Sequence, residues 1–302
     1  MDYSGPPEMI ILGIDGLEYS LVENWRLKNI TQEAYRKLDL SDYKVVVTPP
    51  IWGSMLTGEI DKEIIEIWVK HAEILGGGVN VKQKWWAKLG RPLPPTLNFW
   101  IWDHFFEPLI GGDPFEKTAN YVIEKNVPNL FQFFEKPWTN GIPGYGKNAC
   151  NPVQKRLTEQ AITGERKPYR KYILNYYKKD KAQLVDVLNK QEHDIIFWYT
   201  QLLDVIGHMD MGKPVKLMMK HYLEINKLIG EVKARCPSSV VYVISDHGME
   251  RMDLKSGSWG EHSDHAFFSS NTGETIDKPF QLYDLVLKHK NIEKNKMNSG
   301  KK

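Results

Sequence analysis

The chain has 302 residues, a formal net charge of +2 and 41% hydrophobic side chains. That length admits one large α/β domain or a core with an inserted unit, and the near-neutral charge argues against a dedicated nucleic-acid coat. Its two cysteines, Cys150 and Cys236, have no CxxC spacing, which excludes a disulfide framework and a zinc finger.

In chain order, Met9 to Ile14 reads as a buried strand closed by Asp15. A helical stretch is expected over 31–38, a second strand over Lys44 to Val47, and a turn at Pro49-Pro50. Ile51 to Leu56 then reads as the first turns of a helix stopped by Gly58. From Glu59 to Lys181 the strand–helix rhythm is lost. Gly76-Gly77-Gly78, Trp85-Trp86 and the aromatic run from Phe99 to Phe106 mark an inserted cap. Those aromatics, Trp100 and Trp102 among them, are either the cap's own small core or a platform for a flat substrate group.

The core is expected to resume in part over 129–150, beginning near Asn129-Leu130-Phe131. Ala182 to Leu188 reads as a helix feeding a strand over 195–199. Val215 to Arg235 is amphipathic, with Leu217, Met218, Tyr222, Ile225, Leu228 and Ile229 on one side. A strand over 240–245, a short strand over His265 to Ser269 and a helix over Phe280 to Leu287 complete the core. The expected fold is therefore α/β, a mostly parallel central sheet in three layers with helices on both faces. Its core comprises 1–58 and 182–290, its cap 59–181, and a polar, disordered tail 291–302.

The chemistry lies where strands should end, which is where such folds gather their ligands. Asp15 follows the first strand, Asp246 and His247 follow Val240 to Ser245, and Asp204 and His208 follow Ile195 to Tyr199. His262 stands in the Gly-rich stretch from Gly257 to His265. Three Asp and three His of this kind are what a pair of divalent ions needs. Each cluster also has a plainer role open to it. Asp15 could cap the next helix, and Thr48 could do the same for the helix that follows it. Asp204 and His208 share a face if they lie on a helix, or converge from a loop bent at Gly207. Gly248 is expected to permit a sharp turn after Asp246-His247. His265 reads as a supporting residue beside the ligand His262.

Taken together and in order, these residues resemble the alkaline phosphatase superfamily, in particular its type I phosphodiesterase/nucleotide pyrophosphatase branch. The matching pieces are Ile14-Asp15-Gly16, Thr48 to Trp52 through Leu56-Thr57-Gly58, Asp204 to His208, Ser245 to Met249 and Gly260-Glu261-His262. The resemblance implies a Thr48 nucleophile and two divalent ions, zinc or manganese. One ion would be held by Asp15, Thr48, Asp246 and His247, and the other by Asp204, His208 and His262. The implied substrate is a small phosphate ester or nucleotide. Ile51 and Trp52 stand where that branch carries an Asn and a His. The Cys/Ser-x-Pro-x-Arg context of the superfamily's sulfatases is missing, which excludes that activity.

Two rival readings stand beside a phosphodiesterase. A phosphomonoesterase or phosphoglycerate-mutase-like phosphotransferase would need further cations, for which Lys82, Lys84, Lys88 and Arg91 are available. A non-catalytic nucleic-acid or partner-binding protein would use the basic stretch from Lys155 to Lys181 with its interleaved tyrosines. A solvated helix face over buried tyrosines accounts for that stretch better. No run of about 18 apolar residues and no signal-peptide pattern in Met1 to Pro7 lead to the expectation of a cytoplasmic protein with no membrane contact.

Overall fold

The computed structural model describes residues 5–74, 113–147, 151–162, 164–211, 215–254 and 257–290. The Trp-rich stretch with Trp85, Trp86, Trp100 and Trp102 lies outside the described residues. So do Lys82, Lys84, Lys88, Arg91 and the expected tail. The chain opens with β1 (Met9–Ile14), α1 (Tyr19–Asn24), α2 (Lys28–Thr31), β2 (Ala34–Asp39), α3 (Thr48–Thr57) and α4 (Lys62–Ile74). It continues with α5 (Pro114–Thr118), α6 (Tyr121–Glu124), a 3-10 turn (Leu130–Phe133), β3 (Pro137–Thr139), β4 (Ile142–Pro143) and β5 (Gly146–Lys147). Then come α7 (Pro152–Ile162), α8 (Arg166–Lys190), β6 (Ile195–Thr200), α9 (Leu202–Asp210) and α10 (Val215–Arg235). The last elements are β7 (Val240–Ile244), β8 (Met249–Leu254), β9 (Gly257–His262), β10 (His265–Ser270) and α11 (Gln281–His289).

Six strands form the central sheet in the order β2-β10-β7-β1-β6-β3. The run β7-β1-β6-β3 is parallel, and β10 is antiparallel to both its neighbours. All six residues of β1 are buried, as a strand covered on both faces requires. The two-residue side-chain period splits them. Ile10, Leu12 and Ile14 pack with Ile173 and Leu184 of α8 and Tyr222, Ile225 and Ile229 of α10. Met9 and Ile11 pack on the opposite face with Trp52 and Met55 of α3 and Leu282 and Val286 of α11. Helices therefore cover both faces of a mixed, mostly parallel sheet. No described helix is long and apolar enough to cross a membrane.

Three local expectations are corrected. Residues 34–39 form an edge strand, not part of a helix over 31–38. Their composition favours a helix, but pairing with β10 overrides it. Only Leu38 is buried there, and exposed Arg36 and Lys37 suit an edge. Lys44 to Val47 is not a strand. Its valines pack against the core from an extended lead into α3, and the Val46 carbonyl is engaged by His262 Nδ1 at 3.1 Å. Pro49-Pro50 is no turn but the start of α3 itself, where missing N–H groups cost nothing. That helix ends at Gly58 in a left-handed conformation. In α8, Tyr169 and Tyr177 are buried while Lys167, Lys171, Lys178 and Lys179 are exposed. Arg170 grips buried Asp210 through both terminal nitrogens.

Asp194, buried just before β6, ties β3 to the sheet. Its carboxylate accepts from the amides of Glu135 at 2.7 Å, Lys136 at 3.1 Å and Ile195 at 2.9 Å. Asp194→Ala strands these amides and is expected to cost about 2–3 kcal/mol of stability in urea unfolding. A loss below about 0.5 kcal/mol would show that the strand is held by its packing alone.

Candidate metal centre

Because β7, β1 and β6 are parallel neighbours, their carboxyl ends open in one row. Asp15 leaves β1 there, and Asp246 and His247 leave β7. The helix α9 starts two residues beyond β6 and carries Asp204 and His208 one turn apart. The helical alternative for this pair is the one the structure adopts. His262 closes β9 opposite Met249, and its ring stacks on His247 with centroids 3.6 Å apart.

Gly16 permits this convergence. It has φ +72°, and a Cβ there would sit 2.6 Å from Asp204 Cα and 2.7 Å from the Asp204 amide nitrogen. Only glycine allows both the turn and the approach of the β1 exit to α9. Gly248 does not have a positive φ. Its expected role as the site of a sharp turn is replaced by a need for space, since a Cβ would strike the Glu18 carboxylate at 2.3 Å.

Two donor groups result, each with its ligand atoms within 4.8 Å of one another. Asp15, Asp246 and His247 form a closed group, none more than 2% exposed. Asp204, His208 and His262 form a more open one, with side chains 16–25% exposed. In the closed group, His247 Nε2 lies 3.3 Å from Asp15 Oδ1 and from Asp246 Oδ2. In the open group, His208 Nε2 lies 3.2 Å from Asp204 Oδ1 and 3.2 Å from His262 Nε2.

The second nitrogen of each ring identifies the tautomer. His208 Nδ1 is 2.7 Å from the Gly260 carbonyl, His262 Nδ1 is 3.1 Å from that of Val46, and His247 Nδ1 is 3.0 Å from that of Gly248. A carbonyl only accepts, so each Nδ1 carries a proton, and Nε2 is the atom that each ring turns toward the carboxylates. Ligand imidazoles are oriented in this way. Asp15 Oδ1, Asp204 Oδ1, both Asp246 oxygens and His247 Nε2 are buried without a hydrogen bond. Folded proteins rarely leave such atoms unsatisfied. Hard carboxylate oxygens beside imidazole nitrogens fit two divalent ions.

The fields are strong. Burial, together with the Asp204 charge, pushes Asp246 up to about 8. Burial and the charges of Asp246 and Asp204 push Asp15 well above the carboxylate range. Burial opposes ionisation of Asp204 too, but His208 and His262 outweigh it and hold Asp204 well below that range. Burial alone would lower His208; the Asp204 carboxylate raises it to about 9.

Thr48 begins α3, two residues past the carbonyl that holds His262, and is 8% exposed. His265 faces Glu18 and Asp264 instead of joining either donor group. Sequence reasoning missed three residues. Tyr199 donates its hydroxyl to Asp15 Oδ2, but as the last apolar residue of its run it reads as core. Lys147 is buried, with Nζ 4.7 Å from the Tyr199 ring centroid and 3.6 Å from Asp180 Oδ2. Its position in a short loop strand gives no periodic signal. Glu18 was detectable only as an acid three residues after Asp15.

No family model and no curated protein matches the chain. It is similar to the solved structure of an alkaline phosphatase from the Antarctic bacterium TAB5. The two are 12% identical over 95% of this chain and 99% of that one, with a TM-score of 0.43. It is also similar to murine ectonucleotide pyrophosphatase/phosphodiesterase 5, an inactive form in complex with AMP. That match is 11% identical over 95% of this chain and 96% of that one, with a TM-score of 0.40.

Asp246 and His208 both hold protons more tightly in the folded state than in the unfolded one. Stability from each is full below its unfolded pKa and is lost as pH rises toward about 8 and about 9, respectively. In chelator, the thermal midpoint is expected to fall between about pH 7 and about pH 9. Added zinc or manganese should stabilise the protein more as pH rises through that window, because the ion takes the place of the protons. A flat midpoint in chelator would contradict the proton inventory.

Proposed function

We propose that this protein is a metal-dependent phosphoesterase of the alkaline phosphatase superfamily, using Thr48 as nucleophile and favouring phosphodiesters. The observation that carries this reading is the pair of donor groups in which Asp15 Oδ1, Asp204 Oδ1 and both Asp246 oxygens are buried without a hydrogen bond and the imidazoles all turn Nε2 inward. Asp15, Thr48, Asp246 and His247 would hold one ion, and Asp204, His208 and His262 the other. Bound there, divalent ions such as zinc or manganese supply Lewis acidity, lowering the pKa of a hydroxyl and offsetting charge on phosphoryl oxygens.

Thr48 stands at the N-terminus of α3, which favours an anion. Its Oγ attacks phosphorus in line with the departing ester oxygen. The bond from phosphorus to Oγ forms as the bond to the leaving alcohol breaks, and the proton that Thr48 gives up ends, net, on the departing alcohol oxygen. Water then cleaves the phosphothreonine and restores the hydroxyl. Tyr199 fixes Asp15 throughout by donating to Oδ2.

Charge supports a diester. Two divalent ions carry four positive charges against three carboxylates and, once Thr48 gives up its proton, one alkoxide, which leaves no surplus to hold a doubly charged substrate. Pro49 and Pro50 lack N–H groups, so Thr48 and Ile51 supply the only amide donors among the first four positions of α3. Among the described residues no lysine or arginine forms an ion pair with Asp15, Asp204 or Asp246. A doubly charged monoester asks for more donors than this. The complete donor set also favours turnover over a purely binding role. A nucleotide diester is one substrate that fits these demands.

Thr48→Ala should lower kcat on bis(p-nitrophenyl) phosphate by about three orders of magnitude or more, while Thr48→Ser keeps part of the rate. A near wild-type rate for Thr48→Ala would mean that water attacks directly.

For the wild type, kcat/KM should favour that diester over p-nitrophenyl phosphate by about tenfold or more. If the monoester wins, the phosphomonoesterase reading replaces this one.

A further inference from the structure

Glu18 belongs to none of the motifs above, yet it touches every loop that supplies the closed donor group and one that supplies the open group. It is 4% exposed. Its Oε1 accepts from the Ser20 amide at 2.9 Å and from His265 Nε2 at 3.2 Å. Its Oε2 accepts from the Met249 amide at 3.0 Å and from the Ser263 hydroxyl at 3.4 Å. The Ser20 bond is a local cap of α1. The other three come from segments more than two hundred residues away.

The attachment points matter. Glu18 follows Asp15 by three residues, Met249 follows His247 by two, and Ser263 follows His262 by one. A single carboxylate thus spans the exits of β1, β7 and β9. The Glu18 backbone N–H donates to the Tyr222 hydroxyl at 3.0 Å, which anchors this point to α10. The space is tight, because a Cβ on Gly248 would meet Glu18 Oε2 at 2.3 Å and Ser263 Oγ at 2.6 Å.

We propose that Glu18 is a positioning residue whose carboxylate clasps the three loops presenting Asp15, Asp246, His247 and His262 and so sets the spacing of the two donor groups. This rests on the two-ion reading above. A carboxylate is needed because it only accepts, and here it meets four donors. Glutamine offers one oxygen and turns an NH2 group toward two of those donors, so the same shape becomes repulsive. Burial would favour a neutral acid, but the bonds from His265 and Ser20 hold Glu18 down at about 2, so it stays ionised at working pH. Partners standing behind metal ligands commonly change metal affinity by 10–100-fold, which sets the scale of the effect.

The experiment is calorimetric titration of zinc, and separately manganese, into metal-free wild type, Glu18→Gln and His265→Leu, with unfolding in chelator followed by circular dichroism. Wild type should take up two ions. Glu18→Gln should bind both about tenfold or more weakly. His265→Leu, which removes one contact, should show a smaller loss in the same direction. A cap of α1 alone would lower metal-free stability and leave both affinities unchanged, and that result overturns the clasp. If Glu18→Gln does not fold, His265→Leu decides, and wild-type affinity there also overturns it. Wild type failing to bind two ions would instead overturn the two-ion reading, and the clasp with it. Two-ion binding by wild type with unchanged affinity in both variants would sink the clasp alone.

Discussion

Three carboxylates, Asp15, Asp204 and Asp246, meet inside this protein with imidazoles as their only ion-pair partners among the described residues. Burying an unpaired carboxylate costs several kcal/mol, and like charges at close range add to the cost. Either protons or cations must neutralise the cluster. Much of the surrounding structure follows from that constraint. Backbone carbonyls fix the imidazole tautomers, Gly16 removes the steric bar to the approach of α9, and Tyr199 satisfies one oxygen of Asp15. On the proposed reading, bound cations offset that cost.

The two donor groups differ in ways that bear on chemistry. The closed group has two carboxylates and one imidazole under complete burial. The open group has one carboxylate and two imidazoles and reaches solvent. Charge is therefore best neutralised on the inner side, and the outer side has net positive charge to offer an arriving anion once cations are in place. The start of α3 lies beside the open group, because its lead-in carbonyl at Val46 holds His262. Its prolines leave few amide donors there.

Parts of the fold were legible because burial on both faces leaves an unbroken apolar run. Met9 to Ile14, Ile195 to Tyr199 and Val240 to Ile244 are of that kind, and each is a central strand. The long amphipathic stretch from Val215 to Arg235 was legible through its helical period. Residues 34–39 were not, since an edge strand buries little and its residues favour a helix in isolation. Lys44 to Val47 misled for the opposite reason. Its β-branched residues pack against the core without a strand partner, and hydrogen bonding, not composition, decides that.

The sequence by itself determined the chemistry of the centre. Acids and histidines placed just beyond apolar runs set the donor types, and parallel strands set the end of the sheet at which they gather. Which donors share a group was decided only in three dimensions. The order β7-β1-β6 puts Asp246 and His247 beside Asp15, while α9 and the β8–β9 hairpin pair Asp204 and His208 with His262. The supporting residues Glu18, Tyr199 and Lys147 also belong to the tertiary structure alone. Their partners lie on distant segments, and no local pattern records a contact made across the whole length of a chain.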